Sequence, residues 1–218
     1  MTGVALDEAL DPARTALLVV DAQRAFAHRD SPLADRGLDL SGPAESVPRV
    51  TALLGTFRDA GAPIAFTRSI RDPRTDDPAV AHDVVPGNHR GDGDLLWRPG
   101  SWEAEYVAGV EPRHDEHEVE KRGYDAFHGT PLDALLRTDG VQTLVVCGFV
   151  TDVCVEGTAR GAHERGYDVV LAEDACDSYT DERHGQAVDF LASYLGAAAS
   201  TARIRSALQS QNGEESIA

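Results

Sequence analysis

Two uninterrupted apolar runs constrain this chain more than any other feature: Ala16-Leu17-Leu18-Val19-Val20 and Leu144-Val145-Val146-Cys147-Gly148-Phe149-Val150. Neither alternates with polar residues, so neither suits a strand with one face in water, and both are far shorter than the roughly 20 residues that cross a bilayer. Both therefore read as strands buried on two faces in a parallel sheet. Parallel neighbours need long crossover connections, usually helices.

The rest of the chain supplies them. Residues 15–21 read as a first strand, 43–60 as a helix stopped by Gly61, and 63–67 as a second strand. Residues 117–121 give a third strand and 131–137 a short helix begun by Thr130. A strand over 142–148, a helix over 155–165, a strand over 168–173 and a helix over 181–195 follow, with a last strand over 200–204 and a polar tail, 209–218, that need not pack. The predicted fold is α/β, a three-layer αβα, Rossmann-like arrangement around a mostly parallel six-stranded sheet. It forms one domain over 1–218, with its core at about 15–204 and its ligands beyond the carboxyl ends of the strands. Residues 69–113, rich in Pro, Gly, Asp and His, are too long for an ordinary connection and are expected to carry function or meet another subunit.

Composition narrows the partners. With 37 acidic against 20 basic residues the net charge is −17, which repels phosphate backbones and anionic lipid, so neither nucleic acid nor membrane is expected. The acidic N-terminus has no signal-peptide pattern, and the three cysteines show neither a disulfide framework nor metal-ligand pairing, so a reducing cytoplasm is the expected setting. All the basic residues but one are arginine; the exception is Lys121. An ammonium is a compact charge that fits among titrating groups where a planar guanidinium does not.

Three residues fall where such a sheet places chemistry. Asp21 follows the first apolar run and serves either as a turn cap or as a charge on the rim. Lys121 closes the strand His117-Glu118-Val119-Glu120-Lys121. Cys154 opens the helix after the second run, where the dipole is expected to depress its pKa and make it the reactive thiol, unless it is simply a small buried hydrophobe. Cys147 and Cys176, in mid-strand and in a polar turn, are assigned to packing.

At these residues the chain resembles the isochorismatase-like cysteine hydrolases. The segment Gly148-Phe149-Val150-Thr151-Asp152-Val153-Cys154-Val155 is similar to the family's nucleophile motif. Asp21-Ala22-Gln23 with Phe26, Thr67-Arg68, Lys121 with Phe127-His128-Gly129-Thr130-Pro131-Leu132, and Glu173-Asp174-Ala175-Cys176 with His184 match in the same order. The resemblance implies an Asp21, Lys121 and Cys154 triad. It also implies a cis peptide between Phe149 and Val150, and an oxyanion site made by the N–H groups of Val150 and Cys154. It points to a metal-free amidohydrolase, because Arg68-Ser69-Ile70-Arg71-Asp72-Pro73 lacks the Asp-x-His pair of the metal-dependent nicotinamidase branch; His82 and His89 read as solvated loop histidines.

No cofactor is expected. The implied substrate is a small amide or ureido compound, and a homodimer or homotetramer is expected as in relatives. The vinyl-ether-cleaving isochorismatases are the alternative, and a silent scaffold relative the third reading. Gln23, Phe26, Trp97, Tyr124, Phe127 and Thr151 are candidate substrate contacts, although isolated aromatics are more often core.

Overall fold

The computed structural model describes residues 10–72 and 96–214. Its centre is a six-stranded, all-parallel sheet in the order β3-β2-β1-β4-β5-β6. The strands are β1 (Thr15–Val20), β2 (Ile64–Ser69), β3 (His117–Lys121), β4 (Thr143–Phe149), β5 (Asp168–Asp177) and β6 (Gly196–Ala199). Every residue of β1 and β4 is buried, as two-sided burial of an apolar strand requires.

Helices cover both faces. The Ser41–Asp59 helix packs across β1, β4 and β5 and is joined to the Thr201–Glu214 helix, where Arg205 Nε donates to Thr56 Oγ1 at 2.9 Å. The Glu156–Glu164 and Asp181–Tyr194 helices pack on each other and on β5. The chain builds outward from β1 through β2 to β3, then returns and builds the other way from β4. That reversal leaves a crevice at the carboxyl ends of β1 and β4, the switch point at which open α/β sheets bind ligands.

The C-terminal end departs from expectation. Residues 200–204 are not the last strand. Gly196–Ala199 is β6, and residues 201–204 open a helix that runs to Glu214, so the backbone stays helical past 209, where Gln209 and Ser210 are exposed. Thr201, Ile204, Ala207 and Leu208 are all buried, a helical spacing of three and four. The Asp174 carboxylate caps the first turn, accepting from the Thr201 N–H at 2.6 Å and hydroxyl at 2.7 Å. The Gly-Ala-Ala-Ala of β6 carries no strand propensity of its own. It becomes a strand because β5 offers a free edge, and Gly196 sits where a Cβ would overlap the Val169 carbonyl. β2 and β5 also run further than their apolar residues suggest, to Ser69 and Asp177, which takes Cys176 out of the expected turn and into a strand.

Among the described residues no helix is long and apolar enough to cross a membrane, and all three cysteines are free thiols. The expected roles of His82 and His89, and most of the long excursion, lie outside the described residues.

Gly148, like Gly196, stands where the sheet leaves no room for a Cβ. It has φ +115°, and a Cβ there would collide with the Val20 carbonyl of the neighbouring strand. Gly140, just past the Leu132–Thr138 helix, has φ +72° but open space around it. Gly140→Ala should therefore cost only the left-handed penalty of about 1–2 kcal/mol, and Gly148→Ala at least ~3 kcal/mol, because backbone must move. Urea denaturation midpoints of the two variants measure the contrast.

Candidate active site

Asp21 leaves β1 with φ +48°, a left-handed conformation that aspartate is among the few side-chain residues to tolerate. The turn aims its carboxylate along the switch-point crevice. Thr67 and Ser69, two apart on β2 and so on the same face, both reach it. The Thr67 hydroxyl donates to Oδ1 at 2.8 Å and the Ser69 hydroxyl to Oδ2 at 3.0 Å. Lys121, the last residue of β3, lies in register with Ser69. Its Nζ is 2.7 Å from Asp21 Oδ2, and both side chains are 0% exposed. The same ammonium donates to the Gly123 carbonyl at 2.9 Å and has the Ser69 hydroxyl at 3.2 Å and Cys154 Sγ at 3.3 Å within reach of its third hydrogen. The three predicted triad residues are thus in mutual contact.

Burial opposes the charge on Lys121, but the Asp21 carboxylate and then the Cys154 sulfur outweigh it and raise its pKa above the ordinary value. A raised lysine stabilises the fold fully below its unfolded pKa, and the contribution is lost only as pH rises through the raised value. The pair is therefore intact across the neutral range.

Cys154 behaves differently from expectation. Burial pushes its thiol up to about 12; Lys121 pulls it down, but the Asp21 carboxylate, which the thiol faces, raises it again. The predicted depression is absent because desolvation exceeds what a helix terminus and one cation, already bound to a carboxylate, can return. At rest the sulfur is a neutral thiol.

The turn that presents it is held from several sides. After β4 the Phe149-Val150 peptide is cis, and residues Thr151–Val155 form one π-helical turn leading into the Glu156–Glu164 helix. The Val150 carbonyl accepts from the N–H groups of Val153 and Val155, both at 3.2 Å. Thr151 Oγ1 lies 2.9 Å from His184 Nδ1, and the Asp152 carboxylate is bound by the Ser178 hydroxyl and, at 2.7 Å, by Arg183. The end of β5 and the start of the following helix thus fix the two residues that begin the turn. On the other side the loop after Lys121 rests on glycines of the Glu156–Glu164 helix. A Cβ at Gly157 would press on Tyr124, and one at Gly161 would overlap the Asp125 carboxylate. Thr158 completes the seat, donating to the Tyr124 carbonyl and accepting from the Ala126 N–H. This seat fixes the Gly123 carbonyl that holds Lys121.

The candidate substrate contacts divide. The Gln23 amide is spent on backbone: its nitrogen donates to the Ser69 and Ala104 carbonyls at 3.0 and 2.8 Å, and its oxygen accepts from the Ser69 N–H at 2.8 Å. Thr151 is fully buried and spends its hydroxyl on His184. Phe127 is core, stacked on Tyr167 and under Arg165. These three support the site rather than face a ligand. Phe26 is buried and stacks on Trp97 at 5.6 Å; the Trp97 indole N–H has no partner among the described residues. Tyr124 is exposed.

Sequence reading missed Thr67 and Ser69 as carboxylate donors, and the Asp152, Ser178 and Arg183 group. Ending β2 at Thr67 hid Ser69; an alternating Thr-x-Ser beside the rim aspartate was the available signal. Among the described residues no cluster of three or more His, Cys, Asp or Glu could hold a metal ion.

A family model described as Isochorismatase domain matches residues 15–203. The chain is 32% identical over 211 residues to the ureidoacrylate amidohydrolase RutB of Methylobacterium radiotolerans, covering 92% of this chain and 81% of that one. A crystal structure of a cysteine hydrolase from Pseudomonas syringae pv. phaseolicola 1448A superimposes with a TM-score of 0.81 at 27% identity, covering 97% of this chain and 100% of that one. The N-carbamoylsarcosine amidase of Thermoplasma acidophilum gives a TM-score of 0.70 at 26% identity, over 86% and 96% of the two chains.

Cys154 should still be alkylated by iodoacetamide before Cys147 and Cys176, because both of those are also driven up by burial and lie within the sheet. Its rate should climb by on the order of tenfold per pH unit from pH 7 to 10, as expected below a thiol pKa. Peptide mapping gives the order; a plateau near pH 7 would reveal a resting thiolate.

Proposed function

The chain belongs to the isochorismatase family, and we propose that within it this protein is a cysteine amidohydrolase cleaving a C–N bond of a small carbamoyl or ureido compound. The observation that carries this reading is a thiol and a carboxylate brought together on one buried ammonium at the switch point. The two relatives named for C–N hydrolysis, the ureidoacrylate amidohydrolase and the N-carbamoylsarcosine amidase, support it.

A thiol whose pKa burial has pushed up stays protonated at neutral pH, so attack requires a base beside it. Asp21 takes the thiol proton as sulfur adds to the substrate carbonyl. Lys121 stabilises the negative charge that develops on sulfur. The carbonyl oxygen becomes an oxyanion and is received by the Val150 and Cys154 N–H groups. Asp21 then returns the proton to the departing nitrogen, the C–N bond breaks, and an acyl thioester on Cys154 remains. Water, deprotonated by Asp21, adds to the thioester; the acid leaves and the proton passes back to sulfur. The net change is amide plus water to acid plus amine.

The test is ammonia release from a panel of amides, ureido acids and N-carbamoyl amino acids, with an isochorismate assay beside it. Cys154→Ala should abolish amide turnover, whereas a vinyl-ether hydrolase would keep most of its rate without sulfur. Lys121→Arg should lower turnover about a hundredfold while keeping the charge, since the planar guanidinium cannot make the ammonium's converging contacts. Exhaustive chelation should leave activity unchanged. Loss on chelation with rescue by zinc, manganese or iron would replace this mechanism with a metal-assisted one.

A further inference from the structure

The ammonium of Lys121 has three hydrogens and four acceptors. Asp21 Oδ2 at 2.7 Å and the Gly123 carbonyl at 2.9 Å take the two short bonds; the Ser69 hydroxyl at 3.2 Å and Cys154 Sγ at 3.3 Å compete for the third. Ser69 also donates to Asp21 Oδ2. With Lys121 and Ser69 both on that oxygen, its two lone pairs are used. Oδ1 accepts only from Thr67 among the bonds described and keeps one lone pair for the proton of the thiol.

We propose that Ser69 is a positioning residue of this site: its hydroxyl fixes the rotation of the Asp21 carboxylate so that Oδ1 faces the thiol, and shares the third ammonium hydrogen of Lys121 with the sulfur. While the thiol is neutral that hydrogen rests on Ser69 Oγ. When the thiol proton passes to Asp21 and sulfur becomes anionic, the hydrogen turns to Sγ, and no other bond need change. The only covalent change is the S–H proton moving to the carboxylate. This role rests on the amidohydrolase reading for its catalytic meaning, but the hydrogen-bond arrangement does not.

The groups that face Asp21 limit what else could move its titration. β3 presents Lys121, the turn after β4 presents Cys154, and the segment before β3 presents the Tyr106 phenol. β2 presents only the neutral Thr67 and Ser69. Ser69 can be changed cleanly, because Gln23 grips its backbone N–H and carbonyl and leaves its side chain out of the clamp.

The single lysine makes the test direct. Protein grown with ¹⁵N-lysine carries one labelled ε-ammonium, and its resonance reports protonation of the carboxylate it binds. A carboxylate that loses a donor holds its proton more tightly. In Ser69→Ala the pH curve of that resonance should therefore be displaced from the parent's towards higher pH, and the acid limb of kcat/KM should move with it. Turnover should fall about tenfold with KM unchanged. Ser69→Thr, which keeps the hydroxyl, should restore the parent curves. A Ser69→Ala resonance curve lying on the parent's from pH 3 to 8, or a Ser69→Thr curve displaced like it, overturns the proposal. If Ser69→Ala does not fold, Ser69→Cys, a weaker donor of similar size, is judged by the same curve. If no substrate is hydrolysed, the functional reading fails while the resonance still decides the role of Ser69.

Discussion

A carboxylate and an ammonium, 2.7 Å apart with neither side chain touching solvent, set the terms for the rest of this molecule. Removing such ions from water costs several kcal/mol each, and attraction alone does not return it unless the remaining lone pairs and hydrogens are also met. Here they are met from neighbouring strands. β2 supplies two hydroxyls to Asp21, and the loop after β3 supplies a carbonyl to Lys121. The pair ties the ends of β1, β2 and β3 together, and the thiol of Cys154 closes the group from β4. Loss of either ion would leave the other buried and unpaired, so the groups that hold the site also hold this end of the sheet.

The same economy explains the glycines and the short polar residues around the nucleophile. Gly148 lets β4 pass close to Val20, and Gly157 and Gly161 let the loop after Lys121 settle on the helix that follows Cys154. From the opposite side, Ser178, Arg183 and His184 bind Asp152 and Thr151. The turn carrying the sulfur is held between two bodies, one positioning the cation and the other positioning the backbone. Such a site suits chemistry in which the groups are placed before substrate arrives rather than gathered by it.

Much of this was legible in the chain. Continuous apolar runs with no alternation dictate strands buried on both faces, and alternation with helices dictates a parallel sheet whose rim follows the last apolar residue of each strand. Asp21, Lys121 and Cys154 stand at those rims in sequence, and the order of motifs around them carried the family. The charge balance and the solitary lysine were equally plain, because they depend on residue identity and not on contact.

Tertiary structure decided the rest. Whether Gly-Ala-Ala-Ala becomes a strand depends on the edge that β5 offers, which no local propensity contains. Gln23 resembles a ligand-binding amide in sequence, but three backbone groups from distant segments consume it. Ser69 gained its place beside Asp21 and Lys121 only through the lateral register of β2 and β3. The protonation of Cys154 is the clearest case: a helix start and a nearby cation argue for thiolate, but the balance turns on desolvation, and the depth of burial is fixed only when the whole sheet and its covering layers close over the sulfur.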